Sequence, residues 1–188
     1  NKLAHVQKIG KLYSEIQFKY EVAQKLGIPH TNVIIMGSSK NGFSLKPDKD
    51  NPGEYKFNYF KYNVFDGSID LSSDIDLTII NSRLFDQEME NIYKHTKLYS
   101  NKYLNLYFED EKNSFHDFAR YILRGWIKPD QFPKQYSWSE TFDSISAFYR
   151  RKFDIEVTIA LFKSKEYYMT YNRENLKKMH TYLLSEES

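Results

Sequence analysis

Ser72-Ser73-Asp74-Ile75-Asp76-Leu77-Thr78-Ile79-Ile80 is the stretch on which the reading of the fold turns. Apolar residues alternate with acids, the period-2 pattern of a half-buried strand. Ile75, Leu77 and Ile79 share one face; Asp74 and Asp76 share the other. Same-face neighbours on a strand lie roughly 7 Å apart. Two carboxylates that close repel each other, and each is costly to desolvate. Lys and Arg are missing nearby in sequence, so a divalent cation is the expected partner. Oxygen-only ligands suit Mg²⁺ or Mn²⁺.

Upstream, Asn32-Val33-Ile34-Ile35-Met36 reads as a short buried strand entering the small-residue turn Gly37-Ser38-Ser39-Lys40-Asn41-Gly42. Backbone N–H groups exposed by such a turn can cradle phosphate oxygens. The turn is neither a P-loop nor the dinucleotide-binding glycine pattern. Residues 43–71 read as a β-rich insertion. Asp50-Asn51-Pro52-Gly53 and Asp66-Gly67 are turn signals, and Tyr55, Phe57 and Tyr59 alternate with polar residues.

A second acidic strand is expected at Phe153-Asp154-Ile155-Glu156-Val157-Thr158-Ile159-Ala160-Leu161. Phe153, Ile155, Val157, Ile159 and Leu161 form its apolar face. Asp154, Glu156 and Thr158 form the other. Were the two acidic strands neighbours, three or four carboxylates would converge.

Helical periodicity surrounds these strands. A helix is expected from Leu3 to Leu26, its stripe running through Ile16, Tyr20 and Ala23 and its end marked by Gly27 and Pro29. Another, capped by Ser82, runs to about residue 100, with Asp86 and Glu88 near its start where the helix dipole favours them. Further helices are expected over 114–125 and 139–151. A helical tail over 164–188 has its helix beginning near Asn172 and a core stripe of Leu176, Met179 and Leu183. Trp126 and Trp138 read as core anchors, and His95 as structural.

The 188 residues suffice for one domain, 1–188, with a real core. A formal charge of +2 does not announce a nucleic-acid binder. Lacking cysteine, the chain can form no disulfide, thiolate metal site or cysteine nucleophile. Sixteen Tyr and fourteen Phe could serve a core or a base-stacking surface. No run reads as a membrane span or signal peptide. The expected compartment is the cytoplasm, which supplies nucleoside triphosphates and Mg²⁺.

Gly37-Ser38, then Asp74-Ile75-Asp76 preceded by Ser73, then Asp154 within Arg150-Arg151-Lys152-Phe153-Asp154-Ile155, together resemble the nucleotidyltransferase superfamily typified by DNA polymerase beta. Ser73 is similar to the serine found there in the minimal and aminoglycoside-type members. The resemblance covers residues 30–162, and the insertion between Gly37 and Asp74 is longer than that of compact members. It implies an α/β (α+β) fold: a mixed sheet flanked by helices mainly on one side, with the β-hairpin inserted before the Asp-x-Asp strand. It implies Asp74, Asp76 and Asp154 as catalytic residues and ligands of Mg²⁺ or Mn²⁺, with Glu156 as an alternative third acid. It also implies nucleotide contacts from Gly37, Ser38, Lys40, Ser73 and Arg151. The implied reaction moves a nucleoside monophosphate from an NTP, ATP first among them, to a hydroxyl on protein, RNA, a nucleotide or a small molecule. The alternative is a non-catalytic nucleotide-binding module acting as regulator or protein partner in a toxin–antitoxin or defence system. A third reading has the acids merely solubilise strand faces.

Overall fold

Asn81 and Ser114 each turn a side-chain oxygen onto a backbone N–H three residues ahead, at 3.0 and 3.1 Å, and so start two of the helices. The computed structural model describes residues 14–47, 55–61, 65–66, 69–70, 73–108 and 114–186. Its elements in chain order begin with α1 (Glu15–Leu26), β1 (Val33–Met36), α2 (Gly37–Asn41), β2 (Phe43–Pro47) and β3 (Tyr55–Tyr59). There follow β4 (Phe65–Asp66), β5 (Ile69–Asp70), β6 (Ile75–Ile80), α3 (Ser82–His95), α4 (Asn101–Phe108) and α5 (Phe115–Leu123). The chain closes with β7 (Trp126–Ile127), α6 (Glu140–Phe153), β8 (Val157–Phe162) and α7 (Lys165–Glu186). The protein is thus of mixed α/β class.

Four strands form the central sheet in the order β1-β6-β8-β7. β6 and β8 run parallel; β1 and β7 flank them antiparallel. The register sets Ile75 beside Val157, Leu77 beside Ile159 and Ile79 beside Leu161. With Val33 and Ile35 these residues make one apolar face. It packs on Phe18 and Val22 of α1, Phe85 and Ile92 of α3, and Ile145 and Tyr149 of α6. The alternate residues Asp76, Thr78, Thr158 and Ala160 necessarily occupy the opposite face. There Ile80, Trp126 and Phe162 form a second, smaller cluster under Tyr168 and Tyr171 of α7.

Between α2 and β6, β2 pairs antiparallel with β3 from Phe43↔Tyr59 to Pro47↔Tyr55, and β4 pairs with β5. The base of the first hairpin is tied by the Phe60 N–H to the Gly42 carbonyl at 2.8 Å. The Ser73 N–H donates to the Lys61 carbonyl at 2.7 Å, and the Lys61 N–H donates back to Ser73 Oγ at 3.0 Å. The long excursion therefore returns the acidic strand to the end of β1, where Met36 lies opposite Asp76.

Several expectations need correction. β8 starts at Val157, not Phe153. Phe153 ends α6, and Asp154 is its C-cap with φ +54°. Phe153 and Ile155 are still buried, so alternating burial crosses the helix end and mimics a strand. Arg150, Arg151 and Lys152 are the last turn of α6, where the helix dipole favours cations.

α1 begins at Glu15, with Ser14 extended and accepting from the Gln17 N–H at 3.1 Å. Expected helical residues before it lie outside the described residues. Its buried stripe is Phe18, Val22, Ala23 and Leu26, while Ile16 is 67% and Tyr20 53% exposed. Phe18 wins because its ring meets Tyr149 edge-on at 4.6 Å and Phe153 at 5.4 Å, contacts from α6 that no local pattern announces.

The helix expected to reach residue 100 is capped by Asn81 rather than Ser82 and stops at His95. Lys97, Leu98 and Tyr99 then take positive φ. Glu88 is buried, not a solvated dipole partner. It accepts from Tyr136 Oη at 2.5 Å and the Ser139 N–H at 3.1 Å. Burial first, then the bond to Glu88, pushes the Tyr136 pKa upward. α7 begins at Lys165, with Tyr168 and Tyr171 as its packed residues; Leu176 is exposed, and the side chains of Met179 and Leu183 lie outside those described.

Phe18→Ala should lower unfolding free energy by about 3–5 kcal/mol. Ile16→Ala, on the stripe the local pattern favoured, should change it by less than about 0.5 kcal/mol. Urea denaturation of both variants checks which face of α1 carries the core.

Candidate functional site

Asp76 sits where β1, β6 and β8 lie side by side, across from Met36 on one neighbour and Thr158 on the other. The Thr158 hydroxyl donates to Asp76 Oδ1 at 2.9 Å. The other oxygen, Oδ2, faces Gly37, where a Cβ would overlap it. Gly37 has φ +66°, a conformation that strains any L side chain. Close approach and dihedral thus both require glycine, and its backbone is pressed against the carboxylate.

Asp74 lies half-buried just ahead of β6. The next N–H, that of Ile75, donates to the Glu156 carbonyl at 2.8 Å, so the pairing of β6 with β8 draws the backbones around Asp74 and Glu156 together. Asp74, Asp76, Glu156 and Thr158 line one cleft of about 720 Å³ together with Met36 and Gly37. Its other walls are Lys128, Pro129, Asp130 and Trp138 from the segment joining β7 to α6, and Trp126, Phe162 and Tyr171.

The buried Glu88 holds that joining segment by accepting from Tyr136 and Ser139. The Lys134 N–H adds a bond to the Tyr107 carbonyl at 3.0 Å. Tyr168 Oη donates to Met36 Sδ at 3.0 Å, tying α7 to the residue before Gly37. Burial raises the Tyr168 pKa, partly offset by Asn172.

The residues expected at the site are only partly gathered here. Asp74, Asp76 and Gly37 line the cleft. Ser38 is buried in the first turn of α2, which is a short helix rather than an open turn, and Ser39 Oγ donates to the Met36 carbonyl at 2.9 Å. The Ser73 hydroxyl is engaged by the hairpin through the Lys61 N–H. Lys40 pairs with Glu15 of α1. Arg151 is exposed on the last turn of α6. Asp154 is exposed at the helix C-cap and is not among the residues lining the cleft; Glu156, two residues later, is. Asp154 therefore stands at the end of α6, three residues before β8 begins, rather than on the strand as expected.

Lys128, which pairs with Asp130, is the cleft's basic residue among those described, and sequence reasoning passed over it. The signal available was weak: a single lysine between Ile127 and Pro129. Thr158 had a clearer one, since alternation puts it on the acids' face.

Among the described residues, three His, Asp or Glu side chains are not gathered into a ready-made metal cluster. Mg²⁺ commonly takes one or two carboxylates and completes its octahedron with water and phosphate oxygens. The all-oxygen donor set, and Asp76 held by Thr158 through one oxygen, fit that mode. Comparison with protein-family models, curated proteins and solved structures finds no match to this chain. Among the described residues, no helix is long and apolar enough to cross a membrane.

Gly37→Ala should cost about 1–2 kcal/mol from its backbone conformation alone, and more from the overlap with Asp76. In the Asp76→Ala background the penalty should shrink, because the overlapping oxygen is gone. A double-mutant cycle in urea measures that coupling; strict additivity would separate Gly37 from Asp76.

Proposed function

We propose that the chain is a metal-dependent nucleotidyltransferase of the DNA polymerase beta type. The observation that carries this reading is the cleft lined by Asp74, just ahead of β6, by Asp76 and Gly37, and by Glu156. Asp74 and Asp76 would hold Mg²⁺ or Mn²⁺, which would supply charge neutralisation for a triphosphate and acidity for an attacking hydroxyl. The Gly37 backbone approaches the phosphates closely because it carries no side chain. Lys128 contributes positive charge toward them. Thr158 fixes the Asp76 carboxylate through its hydroxyl bond, which limits reorganisation as charge develops.

In the reaction an acceptor hydroxyl oxygen bonds to the α-phosphorus of an NTP as the bond to pyrophosphate breaks. Glu156 takes the hydroxyl proton, and pyrophosphate leaves. Third-carboxylate duty thus falls to Glu156 rather than Asp154. ATP is the first nucleotide to test; the acceptor is a hydroxyl on protein, RNA, a nucleotide or a small molecule, and the cytoplasm is the fitting compartment. A second reading, a nucleotide-binding module without turnover that works through a protein partner, is favoured by one observation: the Asp154 position lies outside the lining of the cleft.

Pyrophosphate release and label transfer from α-labelled NTPs, with Mg²⁺ or Mn²⁺ and cell extract as acceptor source, test the two readings. Asp76→Asn and Glu156→Gln should each lower turnover by about 100-fold or more, while Asp154→Asn should stay within a few-fold of wild type. NTP with Mg²⁺ should raise the melting temperature of the wild type and not of the Asp74→Asn/Asp76→Asn double variant. Stabilisation by NTP without turnover would select the binding module. An equal metal-dependent rise in the double variant would remove both readings.

A further inference from the structure

The β2–β3 hairpin carries residues that the proposed site leaves unused. Its register sets Phe43 directly opposite Tyr59 and Lys46 directly opposite Lys56. Positions alternate between faces along a strand, so the aromatic pair occupies one face and the lysine pair the reverse. Tyr59 is 71% and Phe43 38% exposed. Partners directly opposite stand about 4.5–5.5 Å apart at Cβ, so the two side chains form one aromatic patch open to solvent.

Backbone bonds fix where that patch stands. Next to Tyr59, the Phe60 N–H donates to the Gly42 carbonyl at 2.8 Å. Two residues beyond Tyr59, Lys61 exchanges two hydrogen bonds with Ser73, at 2.7 and 3.0 Å. Ser73 immediately precedes Asp74, which lines the carboxylate cleft. Two strand residues span roughly 7 Å, so the rings stand a short step from the cleft. Lys61, itself exposed, lies between them and Asp74 along this path.

Charge selects the occupant. Residues 43–47 and 55–61 carry Lys46, Lys56 and Lys61 and no acid; the acids nearby in sequence, Asp48, Asp50 and Glu54, fall between the two strands. Like charges directly opposite on an antiparallel pair are destabilising, and an anion relieves their repulsion. Exposed rings beside cations are the combination that holds single-stranded nucleic acid, whose bases stack on the rings while its phosphates meet the positive charge.

We infer that this hairpin binds single-stranded nucleic acid, its bases stacked on Tyr59 and Phe43 and a phosphate on Lys61, and presents the strand's terminal sugar hydroxyl to the carboxylate cleft. The acceptor role rests on the nucleotidyltransferase reading; the binding does not. RNA and DNA offer the same stacking and phosphate chemistry, so the strand comes from either source.

Calorimetric titration of the full chain with unlabelled RNA and DNA oligonucleotides of about ten residues, without metal or NTP, tests the inference. At least one should bind, and binding should persist in the Asp74→Asn/Asp76→Asn double variant. Tyr59→Ala should weaken it about fivefold or more, and Tyr59→Phe by less than about twofold, since stacking needs the ring and not the hydroxyl. Lys61→Gln should lower the slope of log affinity against log salt by about 0.7. Both residues are exposed, so these variants should melt as wild type does. Leu123→Ala, at an 81% exposed position on α5, should bind as wild type does. Tighter binding of RNA than of DNA, or the reverse, names the acceptor strand. Absence of binding by every oligonucleotide, or unchanged affinity in Tyr59→Ala, overturns the inference. So does a protein partner held by wild type and lost in Tyr59→Ala where no oligonucleotide binds, which assigns the face to protein. The titration contains neither metal nor NTP. Its failure therefore leaves the carboxylate-cleft reading standing, to be judged by label transfer and metal-dependent melting.

Discussion

The parallel pairing of β6 with β8 is the constraint on which the rest depends. Its register joins Ile75 to Val157 and Asp76 to Thr158, so a single alignment decides both faces of the sheet. A slip of one residue would turn Ile75, Leu77 and Ile79 away from the helices and bury the acids instead. The apolar face, closed by α1, α3 and α6, holds that register by burying nearly all of its side chains. The cleft is therefore paid for by the opposite face.

On the cleft face the sheet divides along its length. At one end Asp76, Thr158 and Met36 lie abreast, with Gly37 pressed on the carboxylate. At the other, Ile80, Phe162 and Trp126 are covered by tyrosines of α7. A polar cleft and an aromatic cluster thus adjoin on two strands without a separate domain. α7 serves both, since Tyr168 packs on Phe162 at 5.6 Å and also donates to Met36 Sδ.

Segments distant in sequence complete the cleft through buried polar contacts. Glu88 on α3 accepts from Tyr136 and Ser139, which fixes the segment bearing Lys128 and Trp138. Ser73 anchors the hairpin to the start of β6. Under the proposed function, Glu88 and Ser73 act by position: neither is required to touch a phosphate, yet both decide where phosphate-facing groups stand.

Local periodicity was enough to find the two apolar strand cores, the acids at Asp74 and Asp76, the Gly37 position and the strand at Tyr55–Tyr59; the turn signals at 50–53 and at Gly67 lie outside the described residues. Each is written in neighbours two residues apart or in turn chemistry confined to a few positions. Tertiary structure alone decided which of the later acids lines the cleft. Burial of Phe153 and Ile155 continues the alternation backward from β8, but α6 runs through Phe153 and ends on Asp154 in a left-handed cap. Only pairing with Ile75 shows that the strand begins at Val157 and that Glu156 lines the cleft. The same holds for α1, where Phe18 rather than Ile16 is buried because Tyr149 and Phe153 wait on α6. Lys128 and Trp126 enter the cleft through the antiparallel partnership of β7 with β8, two residues long. Strand starts, helix faces and cleft walls depend on partners far along the chain, and no local pattern carries that information.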